Sequence, residues 1–322
     1  MDPDRLEFLA QVASWYYEEN LSQEAIAQRI GRTRSMVSRL LQEAREQGLV
    51  EIRVHYPLKT DSELESRLRK TFGLSEVWVL AKPPAEHAVL LRRLGELGAR
   101  CVQRYFHDGV RIGIGWGTAI HEVVRAMPAL PLRDALVVQI IGAVGHVDPL
   151  VNGPELAHWL SEKLNATYRF LHAPLIVEND EVAKALLQER AIAETLDLAR
   201  QVDVALVGIG TVVPFLSSQH RVGYLSEADL TMLTRVGAVG DILSRQLDSN
   251  GTVLDISLNY RVIGLDLETL RSIPTVIAVA GNVIKAPAVL AALRGGYVDV
   301  LITDANTASV VLTLNGDNNG VE

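Results

Sequence analysis

The sequence predicts an α/β protein of two domains, a winged helix-turn-helix over residues 1–57 and a Rossmann-like, mostly parallel sheet domain over residues 58–322. Three features carry this reading. The first sixty residues hold helical apolar stripes joined by short turns. The remainder alternates short apolar runs with helical patterns, and Pro57-Leu58-Lys59-Thr60 interrupts the pattern between the two parts.

Leu6, Leu9, Val12, Ala13, Tyr16 and Tyr17 make a helical stripe over residues 5–20. Ser22 is placed to cap a short helix through Ile30, with Glu24 in its first turn complementing the dipole and Gly31 ending it. Thr33 caps a second helix to about Gln47, whose apolar face is Val37, Leu40, Leu41 and Ala44. Gly48 closes that helix, and residues 49–54 (LVEIRV) alternate like an edge strand. Helix, turn, helix and strand is the order of a winged helix-turn-helix. Arg32, Thr33, Arg34, Ser35, Ser38 and Arg39 fall at or near the start of the second helix, off its apolar stripe, while Ser22 and Gln23 open the helix before it. Side chains of these types contact phosphates and base edges of double-stranded DNA from the major groove. Glu43 and Glu46 lie further along, where they face away from DNA. The alternative is a small helical bundle with a solvated arginine face. Caps, spacing and charge placement agree better with DNA binding.

The net charge of −8 argues against wrapping nucleic acid over a large surface, though not against a compact local contact. Residues 1–60 carry only −1 of it. With 48% apolar residues, a sizeable core forms without staples. The single cysteine, Cys101, makes neither an internal disulfide nor a metal cage and reads as a small buried hydrophobe. No metal site or cofactor is expected. Met1-Asp2-Pro3-Asp4-Arg5 lacks the basic-then-apolar pattern of a signal peptide. No uncharged apolar run reaches the roughly 18 residues of a membrane helix. The expectation is a cytoplasmic protein with no membrane partner.

In the larger part, Leu64, Leu68 and Phe72 mark a short helix, EVWVL a strand, and residues 89–106 a long amphipathic helix. Strands are expected at residues 110–114, 135–141, 204–207, 275–280 and 298–302, each followed by a helical pattern, and the polar tail 315–322 reads as frayed. Parallel sheets bind ligands beyond the carboxyl ends of their strands. At those ends stand Gly115-Trp116-Gly117-Thr118, Gly142-Ala143-Val144-Gly145, Gly208-Ile209-Gly210-Thr211 and Thr303-Asp304. Glycines let backbone approach an anion, and amides at a helix start can hold it. The stretch RIGIGWGTAIHEVV (residues 111–124) lacks both G-x-G-x-x-G and Gly-Lys-Ser/Thr, so it is neither a dinucleotide fingerprint nor a P-loop. One such turn is usually only a turn; several at strand ends point to a polyol or phosphate pocket. Trp116 reads equally as pocket wall or core plug, His121 as a surface or packing residue rather than a catalytic base, and Asp203 as a turn or cap residue.

The run VSRLLQEAREQGLVEI, followed in order by IGIGWGTAIHEVV, VVQIIGAVG, DVALVGIGT, GAVGDILSRQLDSNG and VIAVAGNVIKAPAVLAALRGGYVDVLITDANTA, resembles the SorC family of bacterial sugar-responsive transcription regulators over nearly the whole chain. The resemblance implies a sheet domain related to ribose-5-phosphate isomerase and glucosamine-6-phosphate deaminase. It also implies a sugar, polyol or sugar-phosphate effector and a homo-oligomer, dimer or tetramer, on operator DNA. Carried over residue by residue, Gly115, Trp116, Gly117 and Thr118 match the loop holding the phosphate or sugar end. Gly142 stands in the next strand-end turn, Asp241 and Arg245 match a motif close to the pocket, and Lys285 and Asp304 match the last two strand-end motifs. Ala119 stands where threonine is common, Asn282 where a second glycine is usual, and Ala305 where an acid is common. The lost hydroxyl weakens the case for phosphate more than for sugar. As alternatives, Asp241 caps a following helix, Arg245 pairs with a surface acid, and Lys285 is solvent-exposed.

A sugar-phosphate isomerase or deaminase with an added DNA-binding domain is the competing reading. Such chemistry needs a base beside the substrate carbon. The deaminases that the family resembles carry Asp-Gly-His after Gly-Ile-Gly, whereas here Gly208-Ile209-Gly210 is followed by Thr211-Val212-Val213-Pro214. No catalytic residue is assigned, and the sequence reads as a sensor.

Overall fold

The computed structural model describes residues 3–50, 58–145 and 152–318. Contacts divide the chain into two compact units, Met1–Pro57 and Leu58–Glu322.

The first unit packs helices α1 (Pro3–Tyr17), α2 (Gln23–Arg29) and α3 (Arg34–Glu46). Ser22 Oγ accepts the Ala25 amide at 3.2 Å, and Thr33 Oγ1 accepts the Met36 amide at 3.3 Å, so both capping residues lie where the sequence places them. Leu9 and Val12 of α1 and Ile26 of α2 close over the stripe Val37, Leu40, Leu41 and Ala44 of α3. Arg5 holds Glu43 with two bonds, at 3.2 and 2.6 Å, which pins the start of α1 to α3. The expected edge strand falls largely on residues 51–54, outside the described residues; Leu49 and Val50 are not in a strand.

Among the described residues, the second unit is built on seven parallel strands: β1 (Glu76–Leu80), β2 (Arg111–Ile114), β3 (Leu136–Gln139), β4 (Thr167–Arg169), β5 (Val204–Gly208), β8 (Thr275–Val279) and β9 (Val300–Asp304), in the order β1-β9-β8-β5-β2-β3-β4. A separate antiparallel hairpin joins β6 (Gly240–Ile242) and β7 (Arg245–Leu247). Helices α4 (Ser62–Phe72), α5 (His87–Val102), α6 (Thr118–Ala126), α7 (Gly153–Leu164), α8 (Asp180–Gln188), α9 (Arg190–Ala199), α10 (Ser218–Arg221) and α11 (Glu227–Arg235) occupy the connections up to β6 among the described residues. Both sheet faces are covered, which is why the strands read as continuous apolar runs. Along β5, Ala205 and Val207 enter one core while Val204 and Leu206 enter the other.

From β2 the chain steps to β3 and then β4 on one side, and returns to pair β5 on the other side of β2. The carboxyl ends of β2 and β5 therefore flank a topological switch point, where the connections diverge and leave a crevice. The stretch 237–251 contains the β6–β7 hairpin. One sequence expectation needs correction. The tail is ordered further than its polarity indicates: the last helix, Ala305–Asn318, includes Asn315, whose Oδ1 accepts from Arg294 at 3.3 and 3.2 Å.

Candidate functional site

The switch-point crevice is lined by residues 115–119 after β2, residues 208–210 at the end of β5, and Ser218, Gln219, Asp241, Leu243 and Lys285. Gly117 has φ 112°, a conformation that suits glycine, and nothing lies within 4 Å of where its Cβ would stand. The turn therefore opens on free space, with the positive end of α6 beginning at Thr118.

Lys285 arrives from the short turn after β8 and is buried; its Nζ donates to the Ile209 carbonyl at 2.9 Å. Asp241 enters from β6, and its carbonyl accepts the Gly210 amide at 2.8 Å. Burial pushes the Asp241 carboxyl up to about 6, although Lys285 and the Ser244 amide favour its charge. Burial likewise pushes Lys285 down to about 8, opposed by Asp241 and assisted by the Arg221 charge. A desolvated acid and base thus share one crevice, each keeping the other ionised near neutral pH. The pair supplies one acceptor group and one cationic donor, the set that grips hydroxyls or an anion.

Trp116 is both wall and plug: it lines the crevice, is buried, and donates its indole N–H to Ser244 Oγ at 3.3 Å. Ser244 and Leu243 form the two-residue turn of the β6–β7 hairpin with φ of 61° and 47°. A turn with both residues left-handed normally takes Asn-Gly. Leucine and serine there cost about 1–3 kcal/mol each. Trp116 and Gln219 hold this turn from the crevice side, Gln219 Nε2 donating to the Ser244 carbonyl at 3.3 Å. The free space between these walls is only about 40 Å³, well under the roughly 300–1,000 Å³ of a ligand pocket.

Gly115, Trp116, Gly117, Thr118, Asp241 and Lys285 are brought together as the sequence places them. Three assigned residues are not. Gly142 donates its amide to Ile263 and packs so close to the Pro174 carbonyl that a Cβ would overlap it, so its lack of a side chain serves packing. Asp304 accepts from the Asn282 amide at 2.9 Å and from Thr307 at 3.0 and 2.7 Å, holding the turn before Lys285 and the start of the last helix. Arg245 lines a different cavity. Asp241 caps no helix and Lys285 is not exposed, which removes both structural alternatives raised for them. Asn282 has φ 88°, the glycine-like conformation its position requires, and its Oδ1 accepts the Ile284 amide at 3.1 Å. Ser218, Gln219 and Leu243 were not foreseen, because no glycine turn or strand end announces them.

In the first unit, Ser22, Arg32, Thr33, Arg34, Ser35, Ser38 and Arg39 are exposed and Gln23 is half-buried. Thr33 Oγ1 lies 3.0 Å from Ser35 Oγ, and Arg34 Nε lies 3.1 Å from Glu24 Oε1 of α2. Glu43 faces α1, as its ion pair with Arg5 at 2.6 Å shows. Among the described residues, no helix is long and apolar enough to cross a membrane, and no cluster of three or more His, Cys, Asp or Glu could hold a metal ion.

Residues 56–313 match the family described as "Putative sugar-binding domain". The chain is 32% identical over 312 residues to the deoxyribonucleoside regulator of Bacillus subtilis (strain 168), covering 97% of this chain and 99% of that protein. It is 30% identical over 311 residues to the sorbitol operon regulator of Klebsiella pneumoniae, covering 96% and 98%. The crystal structure of full-length SorC from Klebsiella pneumoniae superposes with a TM-score of 0.71 at 28% identity, over 96% of this chain and 99% of that one. Fold and relatives define a transcriptional regulator with a sugar-binding domain. The chain belongs to the sugar-binding-domain family of SorC/DeoR-type regulators.

Proposed function

We propose that residues 1–57 bind operator DNA through the start of α3, and that a sugar, polyol or sugar phosphate in the crevice of residues 58–322 sets the operator affinity. Asp241 accepts effector hydroxyls. Lys285 and the start of α6 hold its most electron-rich end, and the glycine turns let the backbone close on it. The observation that carries this reading is the seating of Asp241 and Lys285 together at the β2–β5 switch point. The working form is a cytoplasmic homo-oligomer, a dimer or tetramer, because one recognition helix covers too few base pairs for adequate affinity.

A thermal-shift screen of sugars, polyols and their phosphates tests the site, since a ligand specific for the native state raises its stability by mass action. The expected result is a saturable shift with one chemical series, lost in Lys285→Met. A shift that survives that substitution undiminished, at matched fold stability, moves the effector elsewhere.

A further inference from the structure

A second cavity of about 560 Å³ lies between helices α8 and α9 and the segment from Val253 to Glu268. It is lined in part by Arg245 of β7, which is only 8% exposed. The guanidinium donates to the carbonyls of Leu243, Val262 and Gly264 at 3.3–3.4 Å. These contacts exceed the roughly 2.7–3.2 Å of a good N–H···O bond. Among the described residues no carboxylate comes within 4.0 Å of it. Asp266 is the acid whose field reaches it, and that carboxylate spends Oδ1 on the Thr269 amide at 2.7 Å. The other two cations lining the cavity are already paired, Lys184 with Asp180 and Arg200 with Asp197. A buried guanidinium with long contacts and no counter-ion is costly, and two of its five N–H donors, one on Nε and one on Nη1, remain for an anion.

We propose that this cavity binds a small organic anion, its carboxylate or phosphate on Arg245 and its hydrocarbon body against Leu187, Leu196 and Leu254. The site is separate from the effector crevice, and the two share no lining residue. A buried polar chain nevertheless joins them. Gln246, beside Arg245 on β7, donates its side-chain amide to Gln219 Oε1 of the crevice wall at 3.1 Å. Its backbone amide donates to Asn259 Oδ1, on the wall of the second cavity, at 2.7 Å. The second cavity is therefore tied by hydrogen bonds to the wall of the effector crevice.

Isothermal titration of the full chain with hexanoate and hexyl phosphate, and with 1-hexanol as the uncharged control, tests the proposal. One anion of the two binds at one site per chain, with hexanol at least tenfold weaker. Arg245→Met raises its Kd at least tenfold, and Lys285→Met leaves it within twofold. Because Arg245 is buried, Leu187→Trp provides a second variant that narrows the cavity and keeps the guanidinium; it too weakens binding at least tenfold. The proposal is overturned if neither anion binds the folded protein, if hexanol binds as well, if Lys285→Met abolishes binding, or if either cavity variant, once folded, binds as the wild type does.

Discussion

The Asp241 carboxylate occupies the space that a Cβ on Gly210 would need. Because the Gly210 amide is also bonded to the Asp241 carbonyl at 2.8 Å, neither backbone can withdraw to make room. Gly210→Ala is therefore expected to rotate the carboxylate out of position rather than to shift the strand. Effector affinity should fall at least tenfold with a destabilisation of about 1–3 kcal/mol, the usual cost of overpacking. Titration of the cognate sugar into the variant, beside a denaturant melt, reads both quantities. Unchanged affinity would remove Asp241 from the binding set.

The same carboxylate makes stability depend on pH in a direction that can be worked out. Its folded-state value is raised to about 6, so the stability it contributes is present below its ordinary value near 3.8 and lost as pH rises through about 6. Lys285 is lowered to about 8, so its contribution is present above 10.5 and lost as pH falls through about 8. Between those values both are charged and the pair costs most. The double variant Asp241→Asn/Lys285→Met should be more stable than wild type at pH 7, by about 1–4 kcal/mol if removing these two desolvated charges behaves as replacing a buried pair does. It should not bind effector, and its advantage should shrink at pH 5. A double variant less stable than wild type at pH 7 would show that the pair holds the fold together.

Much of this was legible beforehand, and what escaped has a physical reason. Caps and stripes act within a few residues, so Ser22, Thr33 and the Val37–Ala44 face could be read from spacing. Strand-end glycines located the crevice because parallel sheets bind ligands at that edge. Arg245, Gly142 and Asp304 were misplaced because a residue beside a binding motif in sequence can face another cavity, pack against a distant carbonyl or cap a helix. The β6–β7 hairpin was hidden because its turn residues, Leu243 and Ser244, defy turn preferences and are held by Trp116 and Gln219.

On the DNA side, Arg34→Ala and Arg39→Ala should each weaken operator binding by about 1–3 kcal/mol if the side chains reach bases. Arg34 has Nε turned to Glu24, which leaves the N–H groups of Nη1 and Nη2 for DNA. Thr33→Ala should cost about 1 kcal/mol of stability through the lost cap. Gel-shift titrations at fixed salt, beside thermal melts, separate the two effects. Full operator affinity in both arginine variants would unseat α3 as the recognition helix.

No turnover is expected. After β5 stand Thr211, Val212, Val213 and Pro214, which bring no acid or imidazole to that strand end. Ribose 5-phosphate and glucosamine 6-phosphate incubated with the protein should remain unchanged by NMR. Product formation abolished by Lys285→Met would revive the enzymatic reading.

Gly117 tests how the crevice speaks to the operator. Its φ of 112° strains any other residue, while the space where a Cβ would go is open. Gly117→Val should therefore fold, push two methyl groups toward the ligand and distort the turn that opens α6. Regulation needs the effector to bind the DNA-competent and DNA-incompetent arrangements with different affinity, a coupling of about 1–3 kcal/mol in typical cases. The variant should keep its grip on the operator in the absence of effector and lose the response when effector is added. Operator titrations with and without the cognate sugar measure that difference directly. Linkage supplies a second check, because the operator must alter effector affinity by the same factor in the wild type. If Gly117→Val is folded and still responds fully, the backbone turn after β2 is not where the effector is held, and Lys285 and Asp241 must hold it without that turn.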